Sequence, residues 1–75
     1  MNLKYDGKYR LVIFENDNNL TQITAVEFES SELAYDYFDF CVEKYSEENL
    51  YIELFELNEK EETWETIETA ETEAV

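Results

Sequence analysis

From Ala34 onward, six apolar residues recur at helical spacing: Ala34, Tyr37, Phe38, Cys41, Val42 and Tyr45 fall at i, i+3, i+4, i+7, i+8 and i+11. A helix with one apolar stripe must lay that stripe against another element. In a chain of 75 residues the β-like segments on either side are the available partners. Ser30 and Ser31 are N-cap candidates, Glu32 suits the positive end of the helix dipole, and Asn49 is a fair C-cap. The pattern predicts a helix of about fifteen residues that ends near Glu48 or Asn49.

Four segments around this helix read as strands. Residues 9–15 (YRLVIFE) are rich in β-branched and aromatic side chains and apolar on both faces, which places this strand inside the sheet. The cluster Asn16, Asp17, Asn18, Asn19 is turn material, because Asn and Asp tolerate left-handed backbone. In residues 22–29, Thr24, Val26 and Phe28 alternate with Ala25, Glu27 and Glu29 in the period of a half-buried strand. Residues 50–57 put Leu50, Ile52 and Leu54 on one face and Tyr51, Glu53, Phe55 and Leu57 on the other. After a charged turn at 58–62, residues 63–69 (TWETIET) form a weaker fourth strand. Glu-Thr pairs recur every three residues from Glu62 to Thr72, a period that fits neither strand nor helix, and residues 70–75 read as a frayed acidic tail.

The predicted fold is therefore α+β: a single domain over residues 1–69 in ββαββ order, with a four-stranded antiparallel sheet and one helix packed on one face. Phe14, Phe28, Tyr37, Phe38 and Cys41 are the expected core. Tyr51, Phe55 and Trp64 would lie on the sheet face that the helix leaves uncovered, a surface suited to a homodimer or a binding patch.

Twenty Asp and Glu against five Lys and Arg, with no histidine, give a net charge of −15. A surface so negative repels nucleic acid and anionic membranes, so neither is an expected partner. Disorder is excluded by a composition that is 44% hydrophobic and 16% aromatic. Self-repulsion should lower the stability of so small a domain, and salt or a cationic partner should restore it. One cysteine forms no internal disulfide, and a chain without histidine offers no plausible zinc or haem site. The N-terminal MNLKYDGKYR is too polar, and the apolar run from Leu11 to Phe14 too short, for a signal peptide or membrane span, so the expected location is cytoplasmic.

Catalysis is not expected. The commonest general base is missing, Cys41 lies on the apolar stripe, and the sole glycine, Gly7, makes no phosphate-cradling loop. Carboxylate pairs would need a concave pocket that one helix on one sheet scarcely provides. The 16–19 loop lacks the alternation, central glycine and closing Glu of a calcium loop, so no cofactor or metal is expected. Lys4, Lys8 and Arg10 are read as partners for nearby strand carboxylates.

The informative constellation is on the outer side of the helix. At 100° per residue, Glu32, Asp36, Asp39, Glu43 and Glu47 point within about an 80° sector, nearly opposite the apolar stripe. Over a helix of about 22 Å this is roughly one charge per 4 to 5 Å, against 3.4 Å along each strand of B-DNA. Any exposed helix face is charged, but ordinary ones mix signs to gain i,i+4 pairs, whereas successive carboxylates repel. Tyr35 and Phe40 flank the row, and large apolar groups beside charges serve as anchors at interfaces.

In size, charge, richness in Tyr, Asp and Glu, and α+β layout, with segments such as ELAYDYFDF, the whole chain resembles the small acidic inhibitors encoded by bacteriophages. Anti-CRISPR and anti-restriction proteins are among these, and several of them are DNA mimics. The resemblance implies stoichiometric inhibition, in the host cytoplasm, of a defence nuclease or complex whose DNA or RNA channel the protein occupies. Glu32, Asp36, Asp39, Glu43 and Glu47 would then engage Lys and Arg that otherwise hold phosphates, with Tyr35 and Phe40 packing beside them. Two alternatives stand beside it: a structural or assembly module that self-associates through the uncovered sheet face or an edge strand, and an antitoxin-like partner of a basic toxin.

Overall fold

The computed structural model describes residues 8–73, so the readings that fall on Lys4, Gly7 and residues 74–75 lie outside the described residues. The elements run β1 (Tyr9–Glu15), β2 (Gln22–Phe28), α1 (Ser31–Lys44), β3 (Leu50–Asn58) and β4 (Thr63–Thr72). All three strand pairings are antiparallel, in the order β2-β1-β3-β4. β1, the strand apolar on both faces, is thus interior, and α1 carries the chain from the β2 edge across β1 to β3. This is the α+β arrangement expected, with one helix on one face of the sheet.

The core lies between α1 and the sheet. Leu11 and Ile13 of β1 and Leu50, Ile52 and Leu54 of β3 meet Ala34, Phe38 and Cys41 of the helix stripe, with Tyr9, Phe28, Tyr37, Val42, Tyr45, Ile67 and Ala70 packed around them. Full burial of a Leu or Ile contributes about 1.5–3 kcal/mol, so the fully buried Leu11, Ile52 and Leu54 anchor the two central strands. Phe14 is a correction to the expected core. It pairs across the ladder with Tyr51, shares the parity of Arg10 and Val12, and so lies on the open face, its ring 6.0 Å from that of Tyr51. A strand apolar on both sides does not reveal by pattern which side the helix covers.

The helix is also shorter than its spacing suggests. It begins as expected, with the Ser30 side chain accepting a hydrogen bond from the Leu33 N–H at 3.3 Å. It ends at Lys44, where the Tyr45 N–H still donates to the Cys41 carbonyl at 2.9 Å and the chain then turns through Ser46 to Glu48. Tyr45 is the last residue of the stripe with core to cover. Beyond it, further helix would bury nothing, and the chain must return to start β3 at Leu50.

β4 runs farther than expected. Ala70, Glu71 and Thr72 pair with Ile52, Tyr51 and Leu50, so they continue the sheet and are not a frayed tail. Thr72 is buried, its hydroxyl donating to the Glu48 carbonyl and accepting from the Leu50 N–H. A register shift between Leu54 and Phe55 leaves Ile67 as the extra residue of a β-bulge. The bulge changes the phase of the strand. Trp64, opposite Leu57, lies on the open face, whereas Ala70 packs against the core although it has the same parity.

With the sole glycine at position 7, the hairpin turns use residues that carry a Cβ: Leu20 at φ 48° and Glu62 at φ 57°. Each costs on the order of 1 kcal/mol in the left-handed region. Side-chain turns offset this, Asp17 accepting from the Asn19 N–H and Asn58 from the Lys60 and Glu61 N–H groups.

Candidate partner-binding site

Because the stripe from Ala34 to Cys41 faces the sheet, the opposite side of α1 faces water. Glu32, Asp36, Asp39 and Glu43 are all exposed along it. Glu47 is not part of this row on the helix, since it lies in the turn after α1. Four carboxylates remain, separated along the axis by about 6, 4.5 and 6 Å at 1.5 Å per residue, a mean near 5.5 Å. That is wider than the 4 to 5 Å expected for five, yet still the order of spacing of the phosphates on one DNA strand, about 3.4 Å.

No cation among the described residues pairs with this row. The two ion pairs there are Arg10 with Glu27 of β2 at 2.6 Å, the strand carboxylate expected, and Lys8 with Glu59 at 3.0 Å, which lies in the turn after β3 and not in a strand. Lys44, in the last turn of the same helix, holds its ammonium over the rings of Phe40, at 5.5 Å, and Tyr45, at 5.8 Å. The row is not explained by the helix dipole. Glu32 sits in the first turn, where negative charge is favourable, but Asp36 and Asp39 lie mid-helix, beyond the reach of the dipole, and Glu43 lies in the last turn, where negative charge is unfavourable.

Both predicted anchors are exposed, Tyr35 at 39% and Phe40 at 53%. Phe40 is nonetheless held in place: it stacks on Tyr37 at 5.8 Å, and Tyr37 tilts against Phe28 of β2 at 5.4 Å. This aromatic chain connects the sheet to the outer face of the helix. Leu33, at 58% the most exposed large apolar residue among the described residues, completes the flank and was not singled out from sequence. The signal for it is the i, i+4, i+7 spacing of Leu33, Tyr37 and Phe40, a second apolar line displaced from the core stripe.

The opposite side of the sheet bears an open hollow of about 440 Å³ lined by Arg10, Val12, Phe14, Glu27, Phe55 and Trp64 among others. Two guanidinium nitrogens of Arg10 converge on one Glu27 oxygen, at 2.8 and 2.6 Å, while its central carbon lies 4.3 Å from the centre of the Trp64 ring. Burial pushes the Cys41 thiol above its usual range, and desolvation followed by the hydrogen bond to Glu56 raises Tyr9. The hydrogen bond and charge of Glu59 raise Lys8.

Among the described residues no three metal-ligating side chains are grouped, and no helix is long and apolar enough to cross a membrane. Compared with known proteins, the chain matches no family model, no curated protein and no solved structure.

Proposed function

We propose that this chain is a non-catalytic acidic inhibitor that binds the basic, nucleic-acid-binding surface of a host defence nuclease or complex of CRISPR or restriction type. The observation that carries the reading is the single-sign row Glu32, Asp36, Asp39 and Glu43, exposed, without an ion pair among the described residues, and spaced on the scale of backbone phosphates. A target surface that evolved for phosphates presents Lys and Arg at similar intervals, and these would meet the four carboxylates along one side of α1. Phe40, Tyr35 and Leu33 give the contact an apolar component that phosphates lack, so the complex would hold more specifically than charge alone allows. Steering by a net charge of −15 makes association fast and steeply dependent on salt.

The experiment is a pull-down from host lysate at low and high salt, followed by competition. The captured protein should bind DNA or RNA, and this chain should displace that nucleic acid. A folded variant with Asp36, Asp39 and Glu43 all changed to Lys should lose the displacement by at least about a hundredfold, because three charge-assisted contacts become repulsive. Equal inhibition by the reversed variant would remove the helix row as the site.

A further inference from the structure

The open face of the sheet differs from the rest of this acidic molecule. By register, its carboxylates are Glu27, Glu53 and Glu71, and each is engaged: Glu27 by Arg10, Glu53 by the Thr66 hydroxyl, and Glu71 by the Asn16 side-chain amide at 3.0 Å. Between them lie Val12, Phe14, Tyr51, Phe55 and Trp64, and Arg10 brings a positive charge. Glu32, Asp36, Asp39 and Glu43 all project from the far side of α1.

We propose that a second copy of this chain covers this face, two sheets packing face to face as an isologous dimer. Charge argues for that occupant. A basic partner has far more to gain at the helix row, whereas the open face is where a chain of net charge −15 can approach its own copy at least electrostatic cost. Packed sheets lie about 10 Å apart. With a helix layer on each outer side the helix axes lie roughly 30 Å apart and the two outward carboxylate rows roughly 40 Å apart, several Debye lengths at about 0.15 M salt. Area sets the strength. Four strands at about 4.8 Å spacing and seven residues at about 3.4 Å rise present roughly 450 Å² per copy in flat projection. Side-chain relief increases this toward the lower limit of specific interfaces, about 1,000 Å² in total, so the dimer belongs to the weak class. The C2 arrangement leaves both helix rows outward and free, so this inference does not depend on the function proposed above.

Sedimentation equilibrium over about 10 µM to 1 mM tests it, at about 50 and 500 mM salt. The expected result is a monomer–dimer equilibrium with Kd on the order of 10–100 µM, tighter at the higher salt. Trp64, the only tryptophan, should shift its emission to the blue as the dimer fills. Ala25→Glu places a charge and added bulk at an exposed position in the hollow and should weaken the dimer at least about tenfold. Ser46→Glu adds the same charge in the turn after α1 and should leave it unchanged. Trp64→Thr, with a residue favoured in strands at an edge position, repeats the test without adding charge and should also weaken it. A monomer at 1 mM in the higher salt overturns the proposal and assigns the face to a different partner. Equal loss from Ala25→Glu and Ser46→Glu overturns it as well, since association would then answer to net charge alone.

Discussion

Replacing Thr72 by valine exchanges a hydroxyl for a methyl of similar size at a position that is 6% exposed, and so separates hydrogen bonding from packing. The wild-type hydroxyl accepts from the Leu50 N–H at 3.2 Å and donates to the Glu48 carbonyl, fastening the end of β4 to the turn between α1 and β3. In the variant the Glu48 carbonyl can turn to water, since Glu48 is exposed, but the Leu50 N–H belongs to a residue only 5% exposed. That N–H also faces its ladder partner Thr72, whose backbone carbonyl the variant keeps, so the change removes two side-chain hydrogen bonds worth about 0.5–1.5 kcal/mol each, and valine's better strand propensity offsets only a few tenths. With an m-value of about 1 kcal/mol per M for so small a domain, a loss near 2 kcal/mol lowers the urea midpoint by about 2 M. Circular dichroism and Trp64 fluorescence both follow the transition. Thr72→Ser keeps the hydroxyl, loses one methyl worth about 0.8 kcal/mol, and should fall between wild type and the valine variant. A valine variant with the wild-type midpoint would show that the hydrogen bonds of the Thr72 hydroxyl contribute nothing to folding.

The buried Cys41 should react with a thiol reagent at rates set by opening of the domain, far slower than in urea. Because burial raises its folded pKa above the unfolded value, stability is full below the ordinary thiol range and falls as pH climbs from about 8.5 toward the folded pKa; a pH series of urea melts in which Cys41→Ala shows the same fall would refute this. Asp39→Asn removes two like-charge neighbours, Asp36 at i−3 and Glu43 at i+4. It should raise stability by about 0.5 kcal/mol at low ionic strength, a gain that disappears near 1 M salt; a salt-independent change would show that the row does not repel itself.

What the sequence reveals follows from where its periods are intact. In β3 the alternation Leu50, Ile52, Leu54 against Tyr51, Glu53, Phe55 is unbroken, and its faces are those of the structure. The helix start is legible because Ser30 and Glu32 are chemical signals, whereas its end depends on where the core stops, which no local pattern records. β4 is the clearest loss. A bulge at Ile67 shifts the phase between Trp64 and Ala70, so a strict period of two cannot be found in a strand that is otherwise paired along its length. The Glu-Thr triplets that looked like low complexity place Glu65, Glu68 and Glu71 on an edge strand, where charge discourages pairing with another chain. For the candidate site, the four carboxylates on the helix were legible because helical geometry alone fixes their direction. Glu47 was misplaced because it depends on the helix end, and Leu33 was missed because its line is separate from the core stripe.

The stability cost of the helix row bears on what the row is for. Mixed-sign faces gain about 0.2–0.5 kcal/mol for each i,i+4 pair, and same-sign faces lose a similar amount. Glu32 with Asp36, Asp36 with Asp39, and Asp39 with Glu43 make three unfavourable neighbours, so a solvating face of alternating sign would be more stable by about 1–3 kcal/mol. Against the marginal stability of a small domain, on the order of 5 kcal/mol, that is a substantial sacrifice. Glu32 recovers part of it at the N-terminal end of the helix; Glu43, in the last turn, adds to it. A basic partner relieves the repulsion on binding, which adds to the affinity and couples it to salt in the opposite sense from folding. Added salt screens the row and stabilises the free domain, but it weakens the complex. The two salt slopes measured on one protein therefore separate a face that serves only hydration, for which the second slope is absent, from one built to meet positive charge.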